Sequence, residues 1–377
     1  MALDAITLSR FRNHRETRLD GARQFNLLVG ENGAGKTNVL EAISLFAPGR
    51  GLRRAALAEM AGLGGTGGFA VGASLVVMDG LAGTDGEEPL RLGTYTQPHQ
   101  PGRRLVQING APASAVSLGE WLSIGWLTPA MDRLFADSAG ARRRFMDRMA
   151  LALDPAHARH AARYENALRE RGRLLTDERP PEAAWLEGVE AQMAQHGAQL
   201  AQGRARLVSA LGQEIAGFPQ QPFARPALVY AAAGPIEQDA LAAALKAGRG
   251  RDRAAGRSLT GPHRDELEVI MAGKNTPAAA CSTGEQKAML IAITLAHSQL
   301  AARSADHGAL DTGKRPSLLL LDEVAAHLDP VRRESLLGRL RESGAQIWLT
   351  GTELAPFEDI RAEAAIWQVA DGRVERL

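Results

Sequence analysis

Two short runs near opposite ends of the chain hold residue types that together handle phosphate. Residues 30–37 read GENGAGKT, between the strand-like QFNLLVG and the helix-like TNVLEAISLFA. A glycine-rich turn that opens a helix aims backbone N–H groups at an anion. Here those groups belong to Gly30, Glu31, Asn32, Gly33, Ala34 and Gly35. Lys36 would neutralise the β- and γ-phosphates, and Thr37 would offer its hydroxyl to Mg²⁺. Residues 317–329 read SLLLLDEVAAHLD. Four successive leucines suit a strand covered on both faces, as in a parallel sheet. Asp322 at its carboxyl end suits a metal, and Glu323 suits the polarisation of an attacking water. Either run alone also reads as an ordinary strand end or turn. The pair implies ATP and Mg²⁺.

A third run, CSTGEQKAML at 281–290, lies far from the first. Ser282 and Glu285 suit the start of the apolar helix KAMLIAITLAHSQLAA, and a plain helix cap accounts for Ser282. Gly284 would equally let a ligand approach the backbone. Both readings stay open on the residues alone.

The elements that must position these groups follow from periodicity. Residues 1–125 read as strands and turns around one helix, with GGFAVGASLVVMD, EEPLRLGTYTQ and RRLVQING as antiparallel strands. From about 130 to 217 the period becomes helical, and Leu186, Val189, Met193, Leu200, Leu207, Leu211 and Ile215 recur at helical spacings. The expected form is a hairpin turning at Pro180–Pro181, with arms of roughly 45–55 Å at the α-helical rise per residue. A loose basic stretch, KAGRGRDRAAGRS at 246–258, follows before strands return. The fold class is therefore α/β, a mixed sheet with helices whose sequence is split by a mostly helical lobe. Expected bounds are 1–125 with 255–377 for the nucleotide lobe and 126–254 for the insert.

Bulk properties exclude some functions. A net charge of +1 gives no global basic field, so a nucleic-acid surface has to be local. One cysteine, Cys281, forbids an internal disulfide and fits a reducing cytoplasm. Charges run through MALDAITLSRFRNHRET, which lacks the order of a signal peptide, and no apolar run approaches about 20 residues. The expectation is a cytoplasmic protein without a membrane partner.

The P-loop, the late LLLLDE, Asp329 and the Ser-x-Gly-Glu-Gln helix start together resemble the ATP-binding cassette arrangement. The wide separation of Lys36 from Asp322, and Arg12–Asn13 in LSRFRNH, are similar to the SMC branch, where that Arg-Asn pair lies near the nucleotide. TPAMDRLFADSAGARRRFMDRMA at 128–150, TGPHRDEL at 260–267 and STGEQK resemble hallmark segments of the RecF family of bacterial recombination mediators. The resemblance implies an ABC/SMC-type ATPase head, weakly ATP-hydrolysing and DNA-dependent, that dimerises on ATP and clamps DNA at duplex or gapped single-strand junctions. It implies RecO and RecR as partners and, indirectly, RecA loading in repair and replication-gap processing. It also implies that Ser282, Gly284 and Asp329 serve the nucleotide of a second subunit. One departure stands out. Cassettes usually carry a switch histidine after the strand that follows the acidic pair, and here the residues are Thr350, Gly351 and Thr352. The alternative is an SMC-like or other cassette ATPase that energises a different partner.

For DNA, two clusters qualify. Arg142, Arg143 and Arg144 are adjacent at a helix start, and Arg249, Arg251 and Arg253 lie in the basic stretch. Charges paired within the fold are the competing reading for both. A structural role is expected for His263, and core positions for Trp121 and Trp126.

Overall fold

The four leucines lie at the centre of a sheet. In the computed structural model, which describes residues 2–62, 67–76, 88–177, 182–304, 315–325 and 328–377, strand β12 (Ser317–Leu321) is buried at every position. Its neighbours on both sides, β8 (Ser123–Leu127) and β13 (Gln346–Gly351), run parallel to it. Next come β3 (Phe25–Val29), β14 (Ala364–Ala370) and, antiparallel at the edge, β15 (Arg373–Arg376). The order is β15-β14-β3-β13-β12-β8. Parallel strands covered on both faces need unbroken apolar runs, which explains the LLLL of β12 and the LLV of β3.

The second sheet is antiparallel throughout. It runs β2 (His14–Leu19), β1 (Ala2–Phe11), β4 (Ala70–Val76), β5 (Leu90–Gln97), β6 (Gln100–Ile108) and β7 (Ala111–Ala113). The expected strands within 68–108 are found there, and residues 77–87 lie outside the described residues. Helix α1 (Lys36–Ser44) sits in the core shared by the two sheets. Its Val39, Leu40 and Ile43 are fully buried, and each such side chain contributes about 1.5–3 kcal/mol. Phe11 meets Phe69 edge to face at 5.2 Å, and Trp348 stacks on Trp367 at 5.5 Å. The short helices α2 (Leu57–Met60) and α3 (Leu118–Trp121) and the longer α9 (Pro330–Glu342) complete this unit. Trp126 is buried and Trp121 packs against the core, as expected.

Residues 132–293 form the second compact unit, and 2–131 with 294–377 form the first. The stretch 255–293, expected with the nucleotide lobe, thus falls in the other unit. The reason is sheet pairing, because β10 (Glu266–Met271) lies between β9 (Pro226–Ala231) and β11 (Thr276–Pro277). The boundary falls inside helix α8 (Thr283–Ser304).

Two helical expectations need correction. The first arm is broken at Asp154–Pro155 into α4 (Ala139–Leu153) and α5 (Ala156–Thr176). Proline offers no N–H to the preceding turn, and the Asp154 carboxylate instead accepts from the Ala156 N–H at 2.9 Å. The partner arm α6 (Ala183–Ala216) is unbroken over 34 residues, about 51 Å at the helical rise. The turn at Pro180–Pro181 lies outside the described residues. The basic stretch is not loose. It is the second half of α7 (Gln238–Ala255), which ends on left-handed Gly256 at φ 65°. Leu241, Leu245, Gly248 and Asp252 form its buried stripe, a helical spacing that the Gly-Arg composition disguised.

A buried polar centre fastens α7 to the hairpin. Fully buried Arg171 on α5 donates to Glu190 at 3.0 Å, Asp252 at 2.6 Å, Ser258 Oγ at 2.7 Å and the Leu245 carbonyl at 2.8 Å. Removing one member of a buried ionic group leaves the other charges uncompensated. Arg171→Met should therefore lower unfolding stability by about 3–5 kcal/mol in urea titrations. Adding Asp252→Leu should recover part of that loss.

Candidate nucleotide site

Strand β3 ends at Val29, and the chain turns through Gly30–Gly35 before α1 begins at Lys36. The glycines are there for space and conformation. Gly33 and Gly35 take φ +84° and +119°, which side-chain-bearing residues rarely adopt. A Cβ at Gly30 would stand 2.1 Å from the Val369 carbonyl oxygen, and one at Gly35 would strike Asn13 and His14 at 2.8 Å. The neighbours that crowd Gly35 also hold the loop. Asn13 Nδ2 donates to the Ala34 carbonyl at 3.0 Å, and a His14 ring nitrogen lies 3.1 Å from the Gly35 carbonyl. Glu31, Asn32 and Gly33 are exposed, while Ala34, Gly35 and Lys36 are buried.

Lys36 Nζ donates to the Gly30 and Glu31 carbonyls at 2.6 and 2.8 Å. Burial lowers its pKa, and the Glu323 and Asp322 carboxylates oppose that shift. Arg12 is tied to the helix that the loop opens. Its guanidinium grips the fully buried Glu41 carboxylate of α1 through two bonds, at 2.8 and 2.9 Å, and donates to the Glu59 carbonyl. Arg53 supplies a second cation to Glu41 at 3.0 Å. Paired, bidentate contacts of this kind fix geometry as well as charge, so Arg12 sets the position of α1.

Asp322 joins the two distant runs. Thr37 Oγ1 donates to its two carboxylate oxygens at 2.9 and 3.1 Å. From the other side Thr350 Oγ1 donates to Oδ1 at 2.9 Å. The same Thr350 oxygen accepts the Glu323 backbone N–H at 2.8 Å, and Glu323 adopts φ +54°. A left-handed non-glycine residue costs free energy and persists where surrounding contacts impose it. Thr350 thus stands where a switch histidine was missing and orders both acidic residues, a role the sequence reading left unassigned. Its position at the end of IWLTG, one strand from LLLLDE, is the signal that could have found it.

The donor set suits a hard divalent cation. A carboxylate and a hydroxyl converge, both oxygen donors as Mg²⁺ requires. Burial raises the Asp322 pKa while the Thr37 and Thr350 hydrogen bonds oppose it, so a cation there would relieve the cost of ionisation.

The remaining candidates have contacts of their own. Asp329 caps α9, accepting the Arg332 N–H at 2.9 Å. Ser282 and Glu285 form a reciprocal cap on α8. Ser282 Oγ accepts the Glu285 N–H at 3.3 Å, and Glu285 Oε2 accepts the Ser282 N–H at 3.0 Å. Lys274, and then the Ser282 contacts, hold the Glu285 carboxyl down at about 2. Ser282, Thr283 and Gly284 are nonetheless exposed, with open space over Gly284. His263 has the structural role expected, bridging the Tyr164 hydroxyl at 2.8 Å and the Ser258 carbonyl at 3.0 Å.

The basic clusters are mostly spoken for. Arg142 pairs with Glu266 through two bonds at 2.7 and 2.8 Å, and Arg249 pairs with Glu190 at 2.6 Å. Arg143 donates to the Asp265 carbonyl and Arg253 to the Leu175 carbonyl. Arg144 and Arg251 remain exposed, and among the described residues no partner is present for either guanidinium. In the basic stretch Lys246, Arg249 and Arg253 close on the protein itself.

Fold and site define a P-loop ATPase head of the cassette/SMC type, split by an inserted unit. The family model described as RecF/RecN/SMC N terminal domain matches residues 2–374. The chain belongs to the RecF family. The DNA replication and repair protein RecF of Mesorhizobium japonicum is 44% identical over 385 aligned positions, covering 99% of this chain and 97% of that protein. Its counterpart in Caulobacter vibrioides is 42% identical, covering 100% and 98%. Among solved structures, the recombination mediator protein RecF with ATP superposes with a TM-score of 0.83 at 22% identity, covering 100% of this chain and 97% of the other. A Smc head bound to the C-terminal winged-helix domain of ScpA reaches 0.53 at 18% identity, covering 100% and 97%.

Thr350→Val keeps the shape of the side chain while leaving the partly buried Glu323 N–H without its acceptor. It should lower stability by about 1–3 kcal/mol, and Thr350→Ser should restore most of it, as read by chemical denaturation.

Proposed function

We propose that the protein is an ATP-dependent DNA-binding ATPase of recombinational repair and replication-gap processing, acting as an ATP-bound homodimer. The hydrogen bonds from Thr37 to both oxygens of Asp322 carry this reading. They bring the first turn of the P-loop helix to the acidic strand end, the juxtaposition that nucleotide hydrolysis with Mg²⁺ requires. Bound ATP would lay its phosphates on the N–H groups of residues 30–37, with Lys36 leaving the Gly30 and Glu31 carbonyls for phosphate oxygens. Thr37 and Asp322 would hold the metal, which supplies charge neutralisation at the phosphates. Glu323 orients the water, its backbone fixed by Thr350. Nothing in this arrangement demands rapid turnover, which agrees with a gating rather than a motor role.

The second half of the site comes from another copy. Ser282, Gly284 and Asp329 serve a partner's nucleotide in this reading, and the exposure of Ser282 and Gly284 supports it. The cap occupies the Ser282 and Glu285 N–H groups, and those of Thr283 and Gly284 between them suit a terminal phosphate. The names borne by the relatives support action in DNA replication and repair, and the neighbour described in the RecFOR pathway supports RecO and RecR as partners. RecA loading and preference for gapped junctions extend the same reading. Arg144 and Arg251 are the residues of the basic clusters left for DNA phosphates. No helix among the described residues is long and apolar enough to cross a membrane; a cytoplasmic site of action belongs to the same reading.

Glu323→Gln should bind ATP and accumulate as the ATP-bound dimer, because the carboxylate that orients water is gone. Sedimentation with ATP and Mg²⁺ measures it, and Lys36→Arg, with a bulky fork in a tight loop, serves as the non-binding control. A Glu323→Gln chain that stays monomeric beside a dimerising parent would refute its role.

The test of the shared site has to respect the cap. Ser282→Asp alone would face the Glu285 carboxylate, whose Oε2 lies 3.0 Å from Ser282 Oγ. The double change Ser282→Asp with Glu285→Gln keeps a good N-cap yet sets a carboxylate against an incoming phosphate. Like charges across an interface cost several kcal/mol, so ATP binding and thermal stability should persist while ATP-dependent dimerisation is lost. Normal dimerisation would refute the composite site.

A further inference from the structure

The nucleotide loop emerges from the carboxyl ends of the parallel strands. At their amino ends lies a separate cavity of about 370 Å³. Its walls combine three arginines, Arg23, Arg361 and Arg376, with side-chain atoms of Leu354 and the exposed Leu377, above Ala364 and Ile366, which are buried. Among the described residues no Asp or Glu lines it.

The cations are held in place by contacts that leave their charge available. Arg23 precedes β3, and its backbone is fixed at both ends of the peptide unit. Its N–H donates to Asn26 Oδ1 at 2.8 Å, and its carbonyl accepts from Asn26 and Gln346 at 2.6 and 3.0 Å. Its guanidinium is exposed, and no partner is present for it among the described residues. Arg376 stacks 4.5 Å over the Trp367 ring and donates to the neutral carbonyls of Asp20 and Gly21. Burial, and then the neighbouring Arg23 charge, lower its pKa. Arg361 meets Glu358 in an ion pair whose side chains are 57% and 56% exposed, a contact of little net worth that a better anion would displace.

We infer that this cavity is a docking site for a partner protein's acidic-apolar peptide segment, one that presents carboxylates beside a large aliphatic or aromatic side chain. Guanidinium forks match carboxylates bidentately, and clusters of them recognise acidic motifs. The apolar side chains of Leu354 and Leu377 favour a peptide over nucleic acid. A phosphate backbone offers no apolar group to meet them, whereas a peptide side chain buries itself there while its flanking acids meet the arginines. The volume falls in the range of ligand cavities, roughly 300–1,000 Å³, and suits about two residues of a peptide. The site is independent of the nucleotide site, so Arg23 variants keep ATP binding.

A display library of random heptapeptides panned against the full chain tests this, with the enriched peptides fluorescein-labelled for polarisation titrations. The expected result is enrichment of Asp or Glu beside Leu, Ile, Phe or Trp. Arg23→Glu and Arg361→Glu should each reduce affinity at least tenfold, with an unchanged melting temperature and unchanged ATP affinity. Exposed Arg23 makes the first variant safe for folding. Enrichment without acidic residues, or equal binding to parent and both variants, would overturn the inference. So would a 20-base-pair duplex that displaces the peptide and itself loses affinity in Arg23→Glu, since the occupant would then be nucleic acid.

Discussion

One carboxylate holds the nucleotide site together. Asp322 receives hydroxyls from Thr37 and Thr350, and the latter also anchors the backbone of Glu323. Three separate elements, α1, β12 and β13, are tied at a single buried point. Burial makes the ionised form costly, and that cost keeps the hydroxyls in place, because a buried acceptor without donors is worse than one well supplied. The arrangement is also poised for a cation, which would take over from the hydroxyl protons what they now do incompletely.

The rest of this unit serves to keep that point fixed. Parallel strands β3 and β13 end level and β12 stops just short of them, so residues from three chain segments emerge on one edge. Helix α1 is steered by Glu41, gripped from outside by Arg12 and Arg53. The loop itself is steadied by Asn13 and His14 from the antiparallel sheet. A carboxylate buried in α1 would be a liability alone. With two guanidiniums it becomes a fixed bearing for the helix start, where Lys36 and Thr37 sit.

In the inserted unit, buried charge has a comparable task. Arg171 joins α5, α6 and α7 through Glu190 and Asp252, and Arg204 of α6 pairs with Asp147 on α4 and with Asp265. Such groups specify register among helices, since an apolar stripe alone tolerates sliding. They also explain why a basic composition here does not equal a basic surface. Most of the arginines that look available to DNA are committed to carboxylates or carbonyls within the fold.

The sequence by itself determined the elements of local chemistry. GENGAGKT, SLLLLDE and STGEQK each carry their backbone requirement in their spacing, because glycine conformations, strand burial and helix caps are decided within a few residues. The class of fold and its split were legible for the same reason. What only the tertiary structure decided involves partners remote in sequence. Arg12 belongs to Glu41, Arg142 to Glu266 and Arg249 to Glu190, and no periodicity reveals which carboxylate a guanidinium will find. The helix in 246–255 was masked by glycines and arginines until Leu241, Leu245 and Asp252 had a hairpin to pack against. The bounds of the second unit were moved by strand pairing between β9 and β10. Thr350 gained its role only when β13 was laid beside β12, since a hydroxyl has no assigned function until an acceptor and a donor are brought within reach.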